Sequence, residues 1–175
     1  MLALMDALGA IRAFMDQGGP VLYLIAALTF VMWTLIFERV WYFKGGLKGD
    51  VQTTLDAWEA RPERKSWNAR QVRYALISRV SEKINANMDM IATMISICPL
   101  MGLLGTVTGM IDVFNVLAFT GGGDAQSMAG GVSRATIPTM AGMVAALSGL
   151  FANTYLTRIA KRENQLIEDH LTMDH

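Results

Sequence analysis

The sequence predicts an all-α membrane protein with three transmembrane helices, the second and third extended into the cytoplasm. Three observations carry that fold class. Of 175 residues, 53% are hydrophobic and 17% charged, whereas a soluble domain of this size carries more charge. Residues 17–37, 91–111 and 135–157 contain no charged side chain, and ~20 apolar residues of helix cross a ~30 Å hydrocarbon core. Nine of the fifteen Lys and Arg residues fall between Lys44 and Lys83, which marks one connecting loop as cytoplasmic.

The elements follow in order. Residues 1–18 place Leu4, Leu8, Ile11 and Met15 on one helical stripe, with Asp6, Arg12 and Asp16 off it. This is the pattern of a helix lying in the membrane interface. No basic leader or small-residue cleavage site frames it as a signal peptide. Gly18-Gly19-Pro20 breaks the chain and opens the first span, 19–43. Trp33, Trp41 and Tyr42 supply its aromatic belt. Residues 44–87 form a cytoplasmic loop and helical extension, hinged at Gly45-Gly46. There Trp58, Trp67, Tyr74, Leu76 and Ile77 are expected to pack short helices. From Trp67 the pattern stays helical with no breaker before Pro99. The second span is 88–119, followed by a glycine-rich periplasmic turn, 120–127, in which Asp124 and Ser127 read as turn and cap residues. The third span is 128–157, kinked at Pro138, and 158–175 is a cytoplasmic helix and tail. The Lys and Arg distribution puts the N-terminus outside and the C-terminus inside.

The second and third spans form an antiparallel hairpin, so residues at equal depth have a nearly constant index sum. That pairs Thr106 with Thr139 at one level and Asp112 with Arg134 nearer the outside. Helical phase separates the two pairs by well over 100°. Thr106, Thr139 and the adjacent Thr136 are candidates for an ion path, or they bond only their own i−4 carbonyls. Gly102, Gly105, Gly109 and Gly142 suit close helix packing. For Asp112 and Arg134 a structural ion pair is favoured over a proton relay, because Arg does not deprotonate in a protein. Cys98 lies alone in an apolar run and reads as packing. His170 and His175, far from any Cys, suggest no metal set. Nothing suggests a cofactor or a nucleophile–base set, so an enzyme is disfavoured. The basic residues are balanced by acids and carry no nucleic-acid recognition motif.

Three segments resemble the ExbB/TolQ/MotA proton-channel family, and most closely its ExbB branch. Phe14 to Pro20, with the apolar run ending Phe37-Glu38-Arg39, is similar to the family's first helix. Gly102-Leu103-Leu104-Gly105-Thr106-Val107-Thr108-Gly109 resembles its GLLGTVxG motif, and Gly131 to Ala146 its third-helix motif. The resemblance maps two pore threonines onto Thr106 and Thr139. Two positions depart from it: Arg134 stands where many ExbB and TolQ proteins have a glutamate, and Ser148 where the family has a proline. The resemblance implies a bacterial inner-membrane subunit that forms a homopentamer around a dimer of single-span ExbD-type partners. A partner aspartate would then be the protonatable group, with protons as the coupling ion, and a TonB-type protein would transmit the work to outer-membrane import. A TolQ-type subunit of the Tol-Pal system is the alternative within the family. A structural membrane scaffold with no ion path is the alternative outside it.

Overall fold

The computed structural model describes residues 2–60, 62, 66–121 and 125–171. Asp124 and His175, and the side chains of Leu4 and Ser127, lie outside the described residues. The described residues are almost all helical, as α1 (Leu2–Trp41), a π-helical turn (Tyr42–Gly46), α2 (Leu47–Glu59), α3 (Trp67–Asn85), α4 (Met88–Thr120) and α5 (Ala125–His170). Three helical stretches, Met5–Glu59, Trp67–Phe119 and Met128–His170, each hold a segment long and apolar enough to cross a membrane. The protein is an all-α membrane protein.

The break expected at Gly18-Gly19-Pro20 is a kink inside α1. Gly19 has φ 67° and ψ −167°, a left-handed backbone that a side chain resists. The hinge expected at Gly45-Gly46 does not open, because the chain stays helical there through one π-helical turn. The Tyr42 ring packs over bare Gly46, where a Cβ would sit 2.8 Å from the ring, and the Tyr42 hydroxyl reaches Asp50 Oδ2 at 2.7 Å. The run expected from Trp67 to Pro99 is two helices. Ala86 turns extended after α3, and Asn87 takes φ 63°, a left-handed conformation that Asn tolerates. Pro99 is carried within α4, whereas α5 runs unbroken for 46 residues with Pro138 inside it.

The chain divides into two compact units, one of Met1–Trp33 with Thr93–Leu150 and one of Thr34–Ala92 with Phe151–His175. In the first, helices approach through glycines. A Cβ on Gly105 would run into Pro138 Cβ, and one on Gly149 would meet Met32 Sδ at 2.6 Å. This unit's buried side chains include Val21, Leu22, Ile25, Met32, Ile95, Cys98, Val113 and Pro138 with small alanines. The second unit has its own core of Leu47, Trp58, Ala69, Val80, Ile84, Ala160, Ile167 and Leu171. Ser66 caps α3, its Oγ accepting the Ala69 N–H at 3.2 Å, and Arg73 donates to the Leu171 and Glu168 carbonyls at the end of α5.

Candidate functional site

The geometry of α4 and α5 brings Thr106 and Thr139 together. Gly102 and Gly109 on α4 remove the side chains that would hold α5 away. A Cβ on Gly102 would sit 2.8 Å from Thr139 Cα, and one on Gly109 2.7 Å from Ala135 Cβ. Gly142 does the same from α5, against the Cys98 carbonyl at 2.5 Å. At this distance the two threonine hydroxyls hydrogen-bond each other. Thr139 Oγ1 also donates across the interface to the Gly102 carbonyl at 2.8 Å. The route from Thr106 to that carbonyl, its own i−4 position, is 3.4 Å. A hydroxyl has one proton to give. The shorter contact therefore assigns Thr139's proton to Gly102, and Thr106's proton then goes to Thr139 Oγ1. Both protons are used within the chain, and half-buried Thr106 keeps free lone pairs.

Thr136 does not join this pair. It is exposed, and its hydroxyl turns back to Ser133 O at 2.8 Å. Asp112 and Arg134 do not join it either. Both line a separate cavity of about 750 Å³ whose walls come from Asp16 to Val21, Gly105 to Leu117 and Gln126 to Pro138. Among the described residues no hydrogen bond or ion pair connects Asp112 to Arg134 within the chain. The index sum places the two at one level, but both side chains are exposed, on a surface where other groups can meet them.

The sequence reading did not single out a second polar assembly. Arg39 is 6% exposed. It grips Glu38 with two bonds, of 2.7 and 2.6 Å, and donates Nη1 to the Lys83 carbonyl at 2.9 Å. Its guanidinium lies 4.9 Å from the Tyr42 ring centroid. Lys83 in turn bonds Asp50 at 2.7 Å, and that bond, with the Tyr42 hydroxyl, holds the Asp50 carboxyl below its ordinary value. The signal was present in the sequence: adjacent opposite charges close an apolar run. What they clamp, the last turn of α3, is visible only in three dimensions. Among the described residues no group of His, Cys, Asp and Glu is placed to hold a metal.

The profile of the MotA/TolQ/ExbB proton channel family matches residues 43–169, which contain the hydroxyl pair and the glycines around it. The chain belongs to that family. It is similar to biopolymer transport protein ExbB-like 1 of Synechocystis sp., 29% identical over 179 residues, covering 84% of this chain and 70% of that one. It shares 36% identity over 104 residues with Tol-Pal system protein TolQ of Pseudomonas aeruginosa, covering 59% of this chain and 43% of TolQ. With biopolymer transport protein ExbB of Xanthomonas campestris pv. campestris it shares 31% over 83 residues, covering 47% and 33%. The matched segments amount to less than half of the latter two proteins.

Proposed function

We propose that this member of the proton channel family is an ExbB-type motor subunit of the bacterial inner membrane. In this reading its N-terminus is periplasmic and its C-terminus cytoplasmic. It assembles as a homopentamer around ExbD-type single-span partners and passes proton-driven work to a TonB-type protein for outer-membrane import. It is not an enzyme and holds no cofactor. The proton is the coupling ion, and the partner's carboxylate is the titrating group.

One observation carries this reading. The Thr106–Thr139 pair is a hydroxyl site inside two uncharged helical segments, about one helical turn in from the ends that Asp112 and Arg134 close, in a chain whose family is a proton channel family. Such a pair can order water or a partner carboxyl without carrying a charge. Arg134 cannot release a proton, so no transfer step passes through it. Thr106→Val and Thr139→Val keep the shape and delete the hydroxyls. Assembled with the single-span partner, both variants are expected to lose proton-dependent uptake, the double variant most severely. Full uptake by a correctly assembled double variant would reduce the pair to packing and leave a scaffold.

A TolQ-type role is the second reading. The TolQ relative aligns over more of this chain, and at higher identity, than the Xanthomonas ExbB does. Complementation of strains lacking one or the other system separates the two.

A further inference from the structure

Each of the three uncharged segments has one charged side chain at the same end. Asp16 precedes 17–37, Asp112 follows 91–111, and Arg134 precedes 135–157. All three line the cavity of about 750 Å³. As the first charges beyond the apolar lengths, they stand where a bilayer's hydrocarbon gives way to its headgroups. Asp16 accepts one bond, from the Tyr23 hydroxyl at 3.3 Å. Among the described residues Asp112 and Arg134 have no partner, so two carboxylates and one guanidinium face a shared space. Gly105 and Gly109 line it as bare backbone, and Pro20, Val113 and Leu117 make its wall apolar. From Gly105 to Leu117 the α4 wall rises ~18 Å, taller than a headgroup and enough for the glycerol and upper acyl chain beneath it.

We propose that this cavity binds a zwitterionic phospholipid whose head carries a primary ammonium, of the phosphatidylethanolamine type. Arg134 takes the phosphate, and Asp112 and Asp16 take the ammonium. Charge and donor count select this head. A guanidinium offers a planar fork of N–H donors to phosphate oxygens. An ammonium offers three donors and no acceptor, which suits two carboxylates. An anionic head would set its phosphate among two carboxylates with a single cation, and a quaternary ammonium would bring charge without an N–H. The inference rests on membrane insertion, not on proton conduction or on which face of the membrane the cavity occupies.

The test is native mass spectrometry of the assembled full-length protein titrated with dioleoyl phosphatidylethanolamine, phosphatidylcholine or phosphatidylglycerol. The ethanolamine lipid should be retained preferentially. Arg134→Gln and Asp112→Asn should each weaken that retention ~tenfold or more at unchanged oligomer mass. Asp112→Asn, the more conservative change, serves if Arg134→Gln fails to assemble. Equal or stronger retention of phosphatidylglycerol, or variants that bind like wild type, would overturn the proposal. So would a disulfide between Asp112→Cys and Arg134→Cys on neighbouring copies, because the charges would then face each other across protomers. Preferential lipid retention by a wild-type protein that supports no proton-driven uptake counts against the functional reading alone.

Discussion

At the scale of residues, Thr106 and Thr139 are unequal partners. Thr106→Val removes one hydrogen bond and leaves Thr139 donating to Gly102. Thr139→Val removes both. With a net ~0.5–1.5 kcal/mol for each bond, melting temperatures in detergent should fall in the order wild type, Thr106→Val, Thr139→Val; equal melting temperatures would contradict the donor order. The glycines around the pair have less latitude. A Cβ on Gly102 meets backbone atoms of Thr139 and Pro138 at 2.8 and 2.9 Å, so α5 itself must move. Gly102→Ala should cost ~1–3 kcal/mol, while Gly9→Ala, which meets nothing within 4 Å, should not destabilise. The matched depth of the threonines was legible in the index sum of two charge-free windows. The direction of their protons was not, because it depends on a difference between 2.8 and 3.4 Å that no spacing rule resolves.

At the scale of elements, the left-handed Asn87 that separates α3 from α4 is the feature the sequence hid. Helical periodicity reads straight through Asn85-Ala86-Asn87, because a two-residue break barely disturbs it. Pro99 is the louder breaker in the sequence, yet it sits inside α4. The break is tied from α1, where Arg39 bonds the Lys83 carbonyl and Asn87 reaches Glu38 at 3.5 Å. Arg39→Ala should therefore speed amide exchange in the last turn of α3 and at Asn87 while leaving α2 protected; unchanged exchange would show that the clamp is ornamental. The Asp50–Lys83 bond adds a pH response. Because folding lowers the Asp50 carboxyl, its stabilisation is complete above the usual aspartate value of ~3.9. It is lost as pH falls through the lower folded value. Acidification should loosen the α2–α3 pair in wild type, and Asp50→Asn should flatten that dependence in thermal unfolding.

At the scale of the whole molecule, the packing glycines Gly102, Gly105 and Gly109 serve contacts within the chain, so the basis for assembly lies elsewhere. Gly102 and Gly105 are buried, and all three are occupied by contacts with α5 in the same chain. Much of what remains uncovered on α4 and α5 is apolar. Leu100, Leu103, Val107, Ile111 and Phe114 are exposed on α4, and Met140, Val144, Leu147, Phe151 and Tyr155 on α5. At helical spacing each set forms one stripe, which lipid or a second copy must cover. Native mass measurement in mild detergent should find an oligomer. A population of monomers alone would leave both stripes to lipid and remove the basis for a shared pore.

The order of donation at Thr106 and Thr139 also makes this spot a discriminator. With both hydroxyl protons turned inward, the outward side of Thr106 listens but does not speak. A neutral carboxylic acid has a hydrogen to offer it, and a bare carboxylate does not. If a partner's acidic side chain sweeps past, only its loaded form is held, and unloading it removes the grip. On the proposed reading such a contact would work as a pawl: two hydroxyls and one peptide carbonyl would tell a cargo-bearing arm from an empty one without titrating themselves.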